Sequence, residues 1–163
     1  MKQASWLSFL PFALFLILAI ALLVRLWSGQ NSVRSREGYS IESIALVGVD
    51  GKKITLPNPQ QKVIVNFFAS WCVACIAEHE QLKTLQKAGT PVIGIAWHDA
   101  ENDTKNFLKT HGNPYTQVVL DQEGRAGVHL GITGIPETFV LREDGKIIYH
   151  FAGALTEEQV QNM

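Results

Sequence analysis

The chain has 163 residues, two cysteines and a formal net charge of −1, a length that fits one domain with an appendage because domains usually run to about 100–200 residues. Its charge is unevenly divided: residues 1–37 carry four Lys or Arg and one Glu (+3), whereas residues 38–163 carry ten Lys or Arg and fourteen Asp or Glu (−4). A mildly acidic domain on a basic stalk argues against a nucleic-acid-binding protein, which needs a basic face.

The first predicted element is a membrane anchor. Residues 7–24 read LSFLPFALFLILAIALLV, an almost unbroken apolar run. At about 1.5 Å per residue this run covers roughly 27 Å, close to the thickness of about 30 Å of a bilayer core. Trp6 and Trp27 lie where interfacial aromatic belts occur, so we predict a transmembrane helix at about residues 6–27 within an anchor of residues 1–27. A cleaved signal peptide is the alternative, since AIA at residues 19–21 mimics a cleavage site, but the apolar run continues past it.

Basic residues near the anchor give an orientation signal that opposes the chemistry of the domain. Lys2 precedes the apolar run, whereas Arg25, Arg34 and Arg36 follow it. By the positive-inside rule alone, the following domain would lie in the cytoplasm. Residues 28–38, SGQNSVRSREG, are small and polar, and we predict a linker there that holds the domain away from the membrane.

Residues 39–163 show strand patterns at both ends and in the middle. A first hairpin is predicted around Asp50–Gly51 and a second around Asp144–Gly145, both common turn dipeptides. The continuous apolar runs KVIVNFF (62–68) and TPVIGIAW (90–97) are typical of buried strands. TQVVLD (116–121) is expected to be a short strand.

Helical patterns separate these strands. One helix is predicted over residues 73–87, with Ile76, Leu82 and Leu85 on its buried face and Gly89 beyond its end. Further helices are predicted at DAENDTKNFLKTHG (99–112), at EGRAGVHLG (123–131) and from Thr156 onward. The alternation predicts an α/β fold with helices flanking a central mixed sheet.

Both cysteines, Cys72 and Cys75, fall where the strand of residues 62–68 gives way to a helix. A domain of this size buries enough surface without disulfide staples, so the fold does not need them. A structural zinc site would require four Cys or His ligands, and a second CxxC is missing. A helix N-terminus stabilises a thiolate, which predicts a nucleophilic Cys72 with Cys75, one turn later, as its resolving partner. Two inert core cysteines are the alternative.

The segment FFASWCVAC (67–75) resembles the active-site segment of the thioredoxin superfamily, and GIPETFVL (134–141) resembles its landmark proline before a strand. AEHEQL, HGNPY and HFAGALT, together with the anchor, are similar to the membrane-anchored, TlpA-like thiol:disulfide interchange proteins of cytochrome c maturation, the DsbE/CcmG type. The resemblance covers about residues 63–156 and implies a thioredoxin-like fold for residues 39–163.

The resemblance also implies roles for single residues. Cys72 would be the attacking thiol and Cys75 the resolving one. Pro136 would be a cis-proline whose loop lies beside the disulfide and offers backbone groups to a peptide. Trp71 would flank the disulfide and cover its approach.

Acidic residues complete the implied site. Asn66 takes the place where many thioredoxins carry a buried acid, and an amide cannot shuttle a proton. Glu78 and Glu137 match the residues that form an acidic site in related proteins, and negative charge near Cys75 would disfavour its thiolate or accept its proton. Without the resemblance, Glu78 would be interpreted as part of a solvated helix face.

As a function, the resemblance implies a periplasmic protein-disulfide reductase that is held in the bacterial inner membrane by its single helix and reduces the CxxCH disulfide of apocytochrome c. A membrane thiol-reducing electron donor would re-reduce it, with no bound cofactor or metal, and we expect a monomer. The alternatives are a general disulfide oxidant or isomerase, a thiol peroxidase, and a non-enzymatic haem- or cytochrome-binding chaperone.

The histidines share no metal-binding spacing, and all are expected to be surface or half-buried residues without a role: His79, His98, His111, His129 and His150. WHDAEND (97–103) is interpreted only as a possible partner-contact loop, because ligands approach α/β sheets at strand carboxyl ends.

Overall fold

The computed structural model describes residues 10–29 and 35–163, with side chains for residues 11–25 and 35–163. The chain forms two compact units, Met1–Arg34 and Ser35–Met163. In the first unit, helix α1 spans Leu10–Gly29. Within the described residues, no helix is both long enough and apolar enough to cross a membrane. The transmembrane helix stays a prediction; Trp6, the Trp27 side chain and linker residues 30–34 lie outside the described part.

The second unit alternates strands and helices. In chain order its elements are β1 (Ile44–Val47), β2 (Lys53–Leu56), β3 (Val63–Phe68), α2 (Val73–Ala77), α3 (His79–Lys87), β4 (Val92–Trp97), α4 (Glu101–His111), β5 (Gln117–Asp121), α5 (Arg125–Leu130), β6 (Glu137–Leu141), β7 (Ile147–Ala152) and α6 (Glu157–Gln161). The predicted α/β fold with a mixed sheet is confirmed.

Strand β3 occupies the centre of a five-stranded sheet of order β5-β4-β3-β6-β7. It pairs in parallel with β4 and antiparallel with β6, and all six of its residues are buried. Because carboxyl ends of parallel strands meet at one edge, the segments after β3 and β4 come together there, and the start of antiparallel β6 joins them. This edge carries the cysteines.

Side chains alternate between the two faces of the sheet. One face carries a core that includes Ile64, Phe68, Leu82, Leu85, Phe107 and both cysteines. The other face carries Val65, Phe67, Phe139, Ala126 and Leu130, with Ile54 and Leu56 of the hairpin β1–β2.

The predicted helix over residues 73–87 is divided in two at Glu78, which ends α2 and begins α3. The buried side chains follow spacings of three and four residues, from Cys75 through Glu78 and Leu82 to Leu85. Ile76 lies about 100° away from this face and is 41% exposed, so its predicted burial is wrong.

Two segments that precede β3 run along the outer strands of the sheet. Beside β7, Gly38 N–H donates to Ile147 O at 2.8 Å, and Ile147 N–H donates to Tyr39 O at 2.8 Å. Beside β5, Val49 N–H donates to Val118 O at 2.8 Å. Each outer strand is therefore paired with the chain's own backbone near one point, β7 at Ile147 and β5 at Val118 and Val119.

Candidate active site

The two cysteines form a disulfide at the start of α2, with 5.3 Å between their Cα atoms. Cys72 is 6% exposed and Cys75 2%, so both residues are buried, Cys72 slightly less deeply than Cys75. Cys75 N–H donates to Cys72 Sγ at 3.1 Å. A backbone donor on this sulfur favours negative charge there once the disulfide is opened.

Asp99 anchors the loop that leads to Cys72. Its carboxylate is buried and accepts hydrogen bonds from Ser70 N–H and Ser70 Oγ–H, at 2.8 and 2.7 Å. It also accepts from Thr104 Oγ1–H at 2.8 Å and Ala100 N–H at 3.0 Å, which join it to the first turn of α4. Because β3 and β4 are parallel, the residues that follow them are brought together, and Asp99 fixes this contact.

Exposed apolar side chains surround the disulfide. Trp71 and Val73 flank Cys72 in the chain, and both are largely exposed, as is Ile76 in part. Trp71 Nε1–H points to His98 O at 3.4 Å, which orients the indole toward the loop after β4. The disulfide is thus bordered by a rim of apolar surface, which we define as Trp71, Val73 and Ile76.

Glu78 lies fully buried one helical turn after Cys75, on the same face of the helix. Its Oε1 accepts from Asn66 Nδ2–H at 2.8 Å, and its Oε2 accepts from Leu155 N–H at 2.9 Å. Burial raises the pKa of Glu78 to about 7, although the hydrogen bonds from Leu155 and Asn66 oppose this rise. The group can therefore gain or lose a proton near neutral pH.

The Asn66 amide is fully hydrogen-bonded in the interior. Besides Glu78, its Nδ2 donates to Thr138 Oγ1 at 2.9 Å, and its Oδ1 accepts from Tyr115 Oη–H at 2.8 Å. Burial, and then the charge of Glu78, raise the pKa of Tyr115 well above its ordinary value. The Tyr115 hydroxyl is consequently a neutral donor at any ordinary pH.

The Ile135–Pro136 peptide bond is cis, as the resemblance implies. Directly after it, the buried Glu137 carboxylate holds the preceding loop: its Oε1 accepts from Thr133 N–H at 2.7 Å, Thr133 Oγ1–H at 2.6 Å and Gly134 N–H at 3.0 Å. His150 Nε2 lies 2.9 Å from Glu137 Oε2. Burial alone would raise the pKa of Glu137, but the hydrogen bonds from His150 and Thr133 bring it below its ordinary value.

The chain matches known proteins over most of its length. The sequence profile of the family described as Redoxin matches residues 36–163. The thiol:disulfide interchange protein DsbE of Haemophilus influenzae is 36% identical over 163 residues, covering 91% of this chain and 87% of its own. DsbE of Tatumella citrea is 38% identical over 164 residues, covering 92% and 86%. This chain belongs to the DsbE type of the Redoxin family.

Solved structures agree with this assignment. StoA from Bacillus subtilis superposes with a TM-score of 0.65 at 26% identity, covering 74% of this chain and 95% of its own. The domain of the DsbE-type chain therefore has the thioredoxin-like fold that the sequence predicted. With its CxxC disulfide and its relatives named thiol:disulfide interchange proteins, it is a protein-disulfide oxidoreductase.

The structure brings together most, but not all, of the residues predicted for the site of this DsbE-type chain. Cys72, Cys75, Trp71, Pro136, Glu78 and Asn66 lie at or beneath one edge of the sheet. The Glu137 carboxylate does not join them. Glu137 pairs with Phe67 in the register of β3 and β6, and Asn66 pairs with Thr138, so the Glu137 and Asn66 side chains point to opposite faces of the sheet. Glu78 lies on the face of the sheet that carries the Asn66 side chain, and the Glu137 side chain lies on the other face. The two acids therefore do not form one cluster.

Two histidines contradict the expectation of surface or half-buried positions. His79 and His150 are both buried. His79 Nε2 contacts Gly112 O at 2.7 Å, and burial lowers its pKa. His150 contacts Glu137, and its Nδ1 accepts from Arg36 N–H at 3.1 Å. Gly112 lies 33 residues from His79, and Glu137 lies 13 residues from His150. A helix or strand periodicity relates only near neighbours in the sequence, so it could not predict these contacts.

Sequence reasoning missed Asp99 and Tyr115. Asp99 could have been found, because an acid that follows a buried strand parallel to β3 must lie near the loop before Cys72. Tyr115 gave no such signal. Across the described residues, no group of three or more His, Cys, Asp or Glu side chains is arranged to hold a metal ion.

Proposed function

We propose that this DsbE-type chain is a reductant of the CxxCH disulfide of apocytochrome c, working in the periplasm of a bacterium from an anchor in the inner membrane. The observation that carries the proposal is the Cys72–Cys75 disulfide with the buried Glu78, of pKa about 7, one helical turn after Cys75. The cytochrome substrate rests on the resemblance to proteins of cytochrome c maturation.

In the proposed reaction, the dithiol form begins the cycle. The Cys72 thiolate attacks one sulfur of the substrate disulfide, forms a mixed disulfide and releases the other substrate sulfur as a thiolate. Cys75 then transfers its proton to the Glu78 carboxylate, and the Cys75 thiolate attacks Cys72 Sγ. The Cys72–Cys75 disulfide forms, the second substrate thiolate leaves, and two electrons have passed from the chain to the substrate.

Each cysteine has the surroundings that its step requires. Cys72 is the less deeply buried of the two residues, and its sulfur receives a hydrogen bond from Cys75 N–H. Cys75 is deeply buried, so it reacts only with a sulfur already bound to Cys72. A general base works best when its pKa lies near the working pH, which is the case for Glu78.

A protein substrate suits the surface around the disulfide. The apolar rim of Trp71, Val73 and Ile76 offers contact area to a polypeptide, and the resemblance implies that backbone groups beside cis-Pro136 also bind it. The chain would act as a monomer without a bound cofactor. A membrane thiol-reducing electron donor would restore its dithiol after each turnover.

A Cys75→Ala variant tests the substrate. Lacking the resolving thiol, it should retain apocytochrome c on Cys72 as a mixed disulfide, detectable by non-reducing electrophoresis and mass spectrometry of the adduct. Cys72→Ser/Cys75→Ala is the matched control and should retain nothing. Adducts of many unrelated secreted proteins, with no apocytochrome among them, would contradict the proposal and favour a general oxidant or isomerase.

The reduction potential of the Cys72–Cys75 couple tests the direction of electron flow. A reductant should equilibrate well below the potentials of the oxidising disulfide catalysts. A potential above the glutathione range would contradict a reductant. Peroxide consumption that persists without Cys75 would favour a peroxidase, and full biological activity of Cys72→Ser would favour a chaperone.

An alkaline phosphatase fusion after Gly38 tests the proposed location. Phosphatase activity is expected, because the enzyme becomes active only in an oxidising compartment. A fusion that is made in full but stays inactive would overturn the periplasmic orientation in favour of the one that Arg25, Arg34 and Arg36 indicate.

A further inference from the structure

Tyr115 lies in the interior, where it contacts the amide of Asn66 that binds Glu78, and nothing in the proposed reaction uses it. Its ring stacks on Phe68 at a centroid distance of 4.7 Å and an angle of 25°. Its hydroxyl donates to Asn66 Oδ1 at 2.8 Å. The residue therefore joins the aromatic core to the polar group that contacts Glu78.

The sheet is built to admit this ring. Gly94 of β4 stands opposite Asn66 of β3 in the parallel register. A Cβ atom at position 94 would come within 2.6–2.8 Å of three Tyr115 ring atoms. The glycine thus leaves the space through which the phenol reaches Asn66.

The direction of the hydrogen bonds follows from the Tyr115 hydroxyl. With the Tyr115 hydroxyl donating to Asn66 Oδ1, the amide presents its Nδ2 hydrogens to Glu78 Oε1 and Thr138 Oγ1. In the opposite orientation, Asn66 Oδ1 would face the Glu78 carboxylate and both groups would be acceptors. We propose that Tyr115 is a positioning residue that fixes the Asn66 amide and thereby keeps a hydrogen-bond donor on Glu78.

The groups that face Glu78 are few. Its carboxylate accepts hydrogen bonds from Asn66 of β3 and from Leu155 N–H in the loop before α6, and Tyr115 in the loop before β5 contacts Asn66. Within the described chain, no Lys, Arg, His or second carboxylate forms an ion pair or hydrogen bond with Glu78. Its protonation is therefore governed by burial and by these few donors, and a change in one donor should be visible.

The inference rests on the proposed role of Glu78, but a titration of Glu78 tests it without any substrate. In the oxidised, full-length chain labelled at the Glu carboxyl carbon with ¹³C, Glu78→Gln assigns the Glu78 signal. Tyr115→Phe should raise the midpoint of that signal by about half a pH unit or more, because Asn66 no longer holds its donor on the carboxylate.

Tyr149→Phe is the matched control. It removes a half-buried hydroxyl that has no hydrogen-bond partner among the described residues, and it should leave the Glu78 midpoint unchanged. An equal midpoint in Tyr115→Phe and wild type overturns the proposal. If Tyr115→Phe does not fold, 3-fluorotyrosine incorporation preserves the contacts, and its more acidic hydroxyl should lower the midpoint; an unchanged midpoint there also overturns it.

A kinetic arm then connects Tyr115 to the reaction. The rate at which Cys75 resolves a mixed disulfide between Cys72 and a CxxCH peptide should rise with pH, with a higher midpoint in Tyr115→Phe. In a Glu78→Gln background, Tyr115→Phe should cause no further change, and a further change would overturn a role through Glu78. If Tyr115→Phe raises the Glu78 midpoint as expected but the CxxCH peptide does not react, the proposed substrate is contradicted and the role of Tyr115 is not.

Discussion

Asp99 and Ser70 are joined by two hydrogen bonds, so that an acid at the end of β4 holds both the backbone and the side chain of a residue two positions before Cys72. The contact spans 29 residues of sequence. It couples the reactive loop to α4, whose first turn shares the same carboxylate through Thr104.

Asp99→Asn should destabilise the oxidised chain by about 1.5–3 kcal/mol, because an amide nitrogen cannot accept the hydrogen bonds made to one of the carboxylate oxygens. Urea denaturation followed by tryptophan fluorescence measures the loss. Asp103→Asn, an exposed acid on α4, is the control and should change stability by less than about 0.5 kcal/mol. Equal effects of the two substitutions would contradict an anchoring role for Asp99.

Glu78 should make the oxidised chain less stable as pH rises. The unfolded chain releases this proton near the ordinary value of 4.5, whereas the folded chain holds it until about pH 7. The stability that comes from the folded-state proton is thus fully present below 4.5 and lost between 4.5 and about 7, by roughly 3 kcal/mol. Glu78→Gln should lack this loss.

The measurement is urea denaturation of both proteins from pH 4 to pH 8. Relative to wild type, Glu78→Gln should gain stability steadily over the interval in which the folded and unfolded Glu78 differ in protonation. Other titrating groups, including His79, are common to both proteins and cancel in the difference. Parallel stability curves would show that Glu78 has an ordinary proton affinity in the folded chain.

Glu137→Gln should destabilise the loop before Pro136. Arg36 N–H occupies His150 Nδ1, so the ring carries its proton on Nε2 and donates to Glu137. A Gln side chain that still accepts from Thr133 would turn its own N–H groups toward this donor. We expect a loss of about 1.5–3 kcal/mol at pH 7.

This loss should shrink in acid. The pKa of Glu137 is lowered by folding, so its stabilisation is present above the ordinary value of 4.5 and disappears as pH falls through the lower folded value. Thermal denaturation of Glu137→Gln and wild type between pH 3 and pH 7 measures the difference. Glu143→Gln in the exposed turn before β7 is the control, and a deficit that does not depend on pH would contradict an ionised Glu137.

Val73→Ser should weaken the reaction with protein substrates. Val73 is 80% exposed beside Cys72, and contact with a polypeptide would bury its methyl groups. We expect kcat/KM for a CxxCH peptide disulfide to fall about 3–10-fold, with little change in reduction of the disulfide by dithiothreitol. Val128→Ser is matched in exposure, at 83%, and should have no effect. An equal fall in both variants would argue against the apolar rim as a docking surface.

The sequence predicted the elements of this domain well where local chemistry decides them. The apolar runs became β3 and β4, Gly112 ends α4 with a positive φ of 89°, and Thr156 caps α6 with its side chain. Each of these signals is confined to a few neighbouring residues. The position of the cysteine pair at a strand-to-helix junction could be predicted for the same reason, because it depends only on neighbouring residues.

The rest depended on contacts between distant residues. Glu78 occupies a core position on its helix and Ile76 does not, because Asn66 and Leu155 N–H supply hydrogen-bond donors for a carboxyl group there. Residue type alone favours a buried Ile76 and an exposed Glu78, because isoleucine is usually buried and glutamate is usually exposed. Tyr115 and Asn66 are 49 residues apart, and only the parallel pairing of β3 with β4, at the glycine of position 94, brings them together.

The backbone pairing along β5 and β7 has a consequence for crowded conditions. An unpaired outer strand is a template on which a second molecule can add a strand, which leads to edge-to-edge aggregation. Residues 38–41 occupy this position on β7, and Gly48 with Val49 occupy it on β5. A second molecule that adds a strand at these points would first have to displace the chain's own backbone, which disfavours association through the sheet edges where many copies are close together.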